Sequence, residues 1–129
     1  MIVKTLQDLA GTKGDTRGAG WSSQRFLLAE DGMGFTLTET TITAGTDHVL
    51  WYKHHLEACY CIDGEGEVED LATGALYQIL PSTCYALDQH ERHRFKAITD
   101  MRLVCVFTPA LTGGEVHDED GAYVAATPG

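Results

Sequence analysis

Residues 52–69 read YKHHLEACYCIDGEGEVE, and the seven residues at their centre, LEACYCI (56–62), decide the fold. Taken as an extended strand, Leu56, Ala58, Tyr60 and Ile62 share one face and Glu57, Cys59 and Cys61 the other. A carboxylate beside two small thiols is out of place on a solvent face. It suits the inside of a barrel, where Glu57 needs a cation or hydrogen-bond donors to offset its desolvation. A buried arginine such as Arg25 or Arg102 would meet that need, and so would a metal ion. The same parity puts Met101, Leu103, Cys105 and Phe107 of MRLVCVF (101–107) on one face, so Cys105 and Phe107 join the interior. With Tyr52 inside, alternation points His54 inward and His55 outward unless a bulge intervenes, so the pair does not readily bind one metal together.

Outward from this stretch the chain keeps the same character. FTLTETTIT (35–43) has β-branched residues at strand density, and LYQIL (76–80) and RFKAI (94–98) are short alternating or apolar runs. Turn signals separate them at Glu30-Asp31-Gly32, Ala44-Gly45-Thr46, Asp63-Gly64, Thr73-Gly74, Pro81-Ser82 and Thr99-Asp100. Helical period is confined to a short turn near Thr5–Leu9. Many short, regularly punctuated strands predict an all-β antiparallel sandwich or barrel. The final segment, LTGGEVHDEDGAYVAATPG, is Gly-rich, acidic and without period, and reads as a surface-crossing tail or lid. The expected organisation is one domain over 1–129, with a core over about 20–110 and a tail over 111–129.

Composition narrows the function classes. The 129 residues carry 19 acidic and 9 basic side chains, a formal charge of −10. That balance argues against nucleic acid and anionic membrane, both of which need a basic patch. The segment MIVKTLQDLAG lacks the apolar centre of a signal peptide, and no run approaches the ~18 apolar residues of a membrane span. A cytosolic protein is expected. Cys59, Cys61, Cys84 and Cys105 form no C-x-x-C pair and are read as small buried hydrophobes, not a disulfide framework.

The spacing of Gly45, Glu57 and Gly64 resembles the first motif of cupin barrels: Gly, five residues, His, one, His, three or four, Glu, six, Gly. The two histidine slots hold Trp51 and Lys53, and His54 and His55 are displaced toward the glutamate. The second cupin motif maps onto Ser82, Asp88, His90, His93 and Ala97, where only His93 survives. A more specific likeness lies in YKHHLEACYCIDGEGEVEDLATG, the Y-x-LD-x-HERH of 85–93, MRLVCVFTPALTG (101–113) and EVHDEDGAY (115–123). Together these resemble the ectoine synthase family, from Trp21 to Tyr123. Two departures are Ser82, where that family more often has glycine, and a tail that ends AYVAATPG.

The resemblance implies a cupin-type double-sheet jelly-roll barrel with a short N-terminal helix or turn and a C-terminal tail over its mouth. It implies a metal-assisted carbon–oxygen hydro-lyase that closes N-γ-acetyl-L-2,4-diaminobutyrate, with loss of water, to the osmotic-stress solute ectoine. It carries over Glu57, Tyr85 and His93 as ligands of a divalent metal. Two oxygens and one imidazole suit Fe(II) more than copper, with manganese and zinc left open. It places Trp21, Arg25, Thr40, Tyr52, Cys105, Phe107, Glu115 and His117 around the substrate. Arg25 suits a carboxylate, Trp21 or Phe107 the aliphatic chain, and Thr40 or Tyr52 the amide oxygen. Tyr52, Glu115, His117 and His55 are the residues expected to serve catalysis, and His90 is expected in a loop. A homodimer is expected, since barrels of this size pair through exposed edge strands. The competing expectation is a non-enzymatic cupin that binds a small molecule without metal.

Overall fold

The computed structural model describes residues 1–118 and 121–123. The expected N-terminal turn is a one-turn helix, α1 (Leu6–Leu9), closed by a reciprocal cap. Thr5 Oγ1 accepts the Asp8 N–H at 3.3 Å, and the Asp8 carboxylate accepts the Thr5 N–H at 2.8 Å. Leu9 is the helix residue buried against the barrel.

Ten strands then build two antiparallel sheets. One runs β1 (Asp15–Gly18), β2 (Trp21–Arg25), β3 (Thr36–Ile42), β10 (Met101–Thr108), β5 (Leu56–Asp63), β8 (Cys84–Leu87). The other runs β4 (Asp47–Leu50), β9 (His93–Ala97), β6 (Gly66–Asp70), β7 (Leu76–Ile79). This is the double-sheet all-β architecture of a cupin barrel. The five runs singled out in the sequence are β3, β5, β7, β9 and β10. No helix among the described residues is long and apolar enough to cross a membrane.

The parity of the central stretch holds. Glu57, Cys59 and Cys61 are buried on β5, and Met101, Leu103, Cys105 and Phe107 are buried on β10. These inner faces pack with Val68, Ile79, Leu87 and Phe95 from the surrounding strands into one core. Near the end of the β5–β10 ladder the register slips, so that Leu103 opposes Cys61 and Arg102 opposes Asp63. That bulge lets β5 leave the sheet at Gly64, whose φ of 93° favours glycine. A Cβ on Gly64 would also fall 2.9 Å from Met101 Cα.

Two expectations are corrected here. His55, expected outside, is 1% exposed, whereas His54 is exposed. The chain bends at Lys53–His54 before β5 begins, which resets the alternation between Tyr52 and Leu56. Cys84, expected buried, is exposed on β8, which forms the edge of its sheet. The other three thiols are buried, and all four are free.

Candidate active site

A cavity lies between the two sheets. Its floor is Glu57 and Cys59 from β5, Cys105 and Phe107 from β10, and Tyr85 from β8. Trp21 and Ser23 of β2 and Thr40 of β3 form one wall, and His48 and Leu50 of β4 the facing one. Tyr52, His117 and Tyr123 close the mouth. Mostly apolar walls with a few convergent polar groups are the usual composition of a small-molecule site.

At the floor, Glu57 is 8% exposed. The two arginines considered as partners are engaged elsewhere: Arg102 pairs with Glu39, and Arg25 with Glu115. Burial, with a smaller contribution from Cys105, raises the Glu57 carboxyl well above the usual carboxylate range, against a hydrogen bond with the Cys59 thiol. Burial likewise raises the Tyr85 phenol, which hydrogen-bonds Cys59. The Cys59 thiol is pushed up by burial, whereas Cys105 is lowered by its hydrogen bonds, first with Cys59 and then with Thr40 and Thr38. Glu57 of β5 and Tyr85 of β8 lie on neighbouring strands of one sheet and line the cavity, whereas His93 lies on β9 of the other sheet and does not line it. His93 is 1% exposed on β9, and its Nδ1 is tied to the Glu91 carbonyl at 3.0 Å. Its Nε2 is buried with no hydrogen-bond partner among the described residues. A neutral imidazole held in this tautomer keeps an unused lone pair on Nε2. Burial lowers the His93 pKa, which keeps that lone pair available. A buried carboxyl without an arginine, a phenol and an orphaned imidazole nitrogen are each donors of a kind that divalent cations take.

At the mouth, the Tyr52 hydroxyl and His117 Nε2 are 2.8 Å apart. Burial is the main reason the His117 pKa falls to about 4 and the Tyr52 phenol rises well above its ordinary value. The pair is therefore a neutral imidazole hydrogen-bonded to a protonated phenol at neutral pH. His117 is stacked on Tyr123, with ring centroids 4.7 Å apart, and meets Trp21 edge-on at 5.1 Å. Tyr123 also meets Phe107 at 5.4 Å. Sequence reasoning did not single out Tyr123, although a buried aromatic in a polar, Gly-rich tail was its available signal.

Several expected site residues stand behind these walls. Arg25 is 0% exposed and does not line the cavity. Its guanidinium donates to the Gly113 carbonyl at 2.5 Å, the Glu115 carbonyl at 2.7 Å and Ser23 Oγ at 3.2 Å. It thus clasps the tail, and its stacking over the Tyr123 ring at 5.2 Å extends the clasp to the mouth. The Glu115 carboxylate accepts the N–H groups of Thr112 and Gly113, each at 2.7 Å. Burial raises its pKa, but these hydrogen bonds outweigh burial and hold the group ionised. Neither Glu115 nor His55 lines the cavity. The His55 ring packs edge-on against Phe107 at 6.3 Å, and both its nitrogens lack partners among the described residues. His90 is exposed, as expected, yet its Nδ1 reaches the Tyr52 carbonyl at 2.8 Å and braces the bend there. Of the tail, residues 119–120 and 124–129 lie outside the described residues.

Comparison with known proteins bears on the family and the fold. The model of the family described as ectoine synthase matches residues 1–127. An L-ectoine synthase of Oceanobacillus iheyensis is 53% identical over 123 residues, covering 95% of this chain and 96% of that protein. One from Desulfosudis oleivorans is 53% identical over 124 residues, covering 95% of this chain and 96% of its own. Among solved structures, the ectoine synthase from P. lautus superposes with a TM-score of 0.86 at 52% identity, covering 100% of this chain and 94% of that one. An RmlC-like cupin from Shewanella frigidimarina shares the fold alone, with a TM-score of 0.61 at 20% identity over 72% of this chain and 79% of its own.

Proposed function

The chain belongs to the ectoine synthase family, and from that premise we propose that it is the enzyme closing the ring of N-γ-acetyl-L-2,4-diaminobutyrate to ectoine. The reaction is an intramolecular dehydration, a carbon–oxygen lyase step. The α-amine nitrogen bonds to the acetamide carbon, the carbon–oxygen bond breaks, and two protons from nitrogen leave with the oxygen as water. The observation that carries this reading is the Tyr52–His117 pair set over a buried floor whose carboxyl has no arginine partner.

Each part of the cavity answers one demand of the chemistry. Folding a flexible substrate into a near-attack shape is worth roughly 7–11 kcal/mol when orientation is good. Trp21, Leu50 and Phe107 supply the apolar walls for that folded chain, and Thr40 a hydroxyl within it. His117, neutral with its pKa near 4, is able to accept a proton from the attacking nitrogen. Tyr52, kept protonated by burial, is placed to donate toward the departing oxygen. One preorganised donor of this kind is worth about 2.7–4 kcal/mol. Glu115 and Arg25 act at one remove, by setting the tail that carries His117. His55 packs against Phe107 and Tyr123 and supports the same wall.

Glu57, Tyr85 and His93 would hold the metal, which we take to be Fe(II). When bound, it would polarise the acetamide oxygen as a Lewis acid. The free thiols accord with a cytoplasmic location. A homodimer is part of this reading. Leu56, Tyr60 and Ile62 are 38%, 44% and 38% exposed on the outer face of β5, beside the unpaired edge β8.

The test is direct. Purified protein loaded with Fe(II) should convert the linear acetamide to the cyclic amidine, separated by chromatography. Folded, iron-loaded protein that leaves the acetamide untouched would favour a binding protein without this activity.

A further inference from the structure

Glu57 belongs to two donor sets at once. One is the oxygen and nitrogen set with Tyr85 and His93. The other is formed with Cys59 and Cys105, which oppose each other directly across β5 and β10. Both thiols are 2% exposed, both are free, and both border the cavity floor. Their sulfurs and a Glu57 carboxylate oxygen lie within 4.8 Å of one another. Tyr85 opposes Cys59 on the next strand, so a fourth donor atom, its phenol oxygen, adjoins the cluster.

A tetrahedral cation with metal–sulfur bonds of about 2.3 Å holds two sulfurs roughly 3.8 Å apart. The two sulfurs, within 4.8 Å of each other on directly opposed residues, are already near that spacing. We infer that Cys59, Cys105 and Glu57 form a second cation site, selective for thiophilic ions such as Zn²⁺ and exclusive of the oxygen and nitrogen set. Softness sets the selectivity, because paired thiolates favour zinc-like ions where carboxylate and phenol favour harder ones. Exclusivity follows from charge, because two divalent cations sharing Glu57, the one carboxylate lining this cavity, would repel each other on a buried floor. Binding releases the two thiol protons to solvent, and no electron is transferred. The ion enters through the mouth of the cavity, since both sulfurs line it. Its consequence is competitive: a thiophilic cation withdraws Glu57 from Tyr85 and His93 and occupies the floor beneath the substrate.

Competition rests on the proposed role of Glu57, but sulfur coordination does not, so the two are separable. The probe is Cd²⁺ added to full-length protein stripped of metal by chelation, followed by the ultraviolet sulfur-to-cadmium charge-transfer band. The wild type should bind one Cd²⁺ with that band. Cys59→Ser and Cys105→Ser should each weaken binding at least about tenfold, whereas Cys61→Ser and Cys84→Ser retain it. Cadmium NMR of the wild type gives a second readout should a variant misfold, with a resonance in the two-thiolate range expected. Prior loading with Fe(II) should weaken Cd²⁺ uptake by about tenfold or more. A resonance in the oxygen and nitrogen range, or a band that persists in both Cys59→Ser and Cys105→Ser, would overturn the site. Equal Cd²⁺ affinity with and without Fe(II) would overturn exclusivity. Turnover without the band would sink this inference alone, and the band without turnover would sink the ring-closure reading alone.

Discussion

Ser82 has a φ of 73°, in the left-handed region, at the third position of a turn closed by the Thr83 N–H and the Leu80 carbonyl at 3.0 Å. A turn with proline second and a positive φ third favours glycine at that third position, and a side chain there costs about 1–2 kcal/mol. Ser82→Gly removes that strain while adding freedom to the unfolded chain, so we expect it to stabilise the protein by about 0.5–1 kcal/mol in urea titration. A second single-residue effect belongs to His117. Its pKa is about 4 when folded and 6.5 when exposed, so between these values the unfolded chain binds the extra proton. Stability therefore falls as pH drops from 7 toward 4, by about 3 kcal/mol from this group at the limit. The raised Glu57 carboxyl works in the opposite sense, gaining stability as it protonates, so the comparison must be made against a variant. Thermal melts of His117→Gln should show a flatter loss between pH 7 and 5 than wild type. Parallel slopes would mean that His117 titrates normally.

At the scale of elements, the tail is held more by one arginine than by packing. Arg25 reaches the Gly113 and Glu115 carbonyls from beneath, and Gly121 docks on β4 by accepting the Trp51 N–H at 2.9 Å. Gly121 has a φ of 75°, and an added Cβ would fall 2.8 Å from Leu50 Cα, so the contact needs glycine. Arg25→Lys keeps the charge but loses the planar fork that spans both carbonyls. We expect it to expose the segment after Thr112 to limited proteolysis and to lower turnover, with the rest of the barrel uncut. Proteolysis unchanged from wild type would show that the tail is held by other contacts. These long-range ties explain what the sequence concealed. β3, β5, β7, β9 and β10 were legible because apolar or β-branched residues recur there at strand spacing. WSSQR, which is β2, buries Ser22, Ser23 and Arg25, and its polarity hides a strand whose Arg25 side chain finds its partners some ninety residues away in the tail. DTRG, DHVL, GEVED and CYAL (β1, β4, β6 and β8) are too short and too polar for period to speak. The inward Glu57, Cys59 and Cys105 were readable by alternation alone, whereas His55 was misplaced because the bend at Lys53–His54 leaves no mark in period.

For the whole molecule, two sheets closed around a buried floor and an aromatic mouth form one unit, and its outer surface carries the prediction about assembly. Leu56, Tyr60 and Ile62 lie in a row along β5 beside an edge strand, an arrangement that a second copy would cover. Sedimentation should find wild type as a dimer and Tyr60→Glu shifted toward monomer, and an unshifted variant would place the interface elsewhere. The interior carries the central claim, an intramolecular dehydration in which the acetamide oxygen leaves as water. A heavy-oxygen label in the acetyl carbonyl of N-γ-acetyl-diaminobutyrate tests it most directly, with products followed by mass spectrometry. The account predicts unlabelled ectoine and label in the released water. Labelled acetate, or label retained in unreacted substrate under turnover conditions, would contradict it.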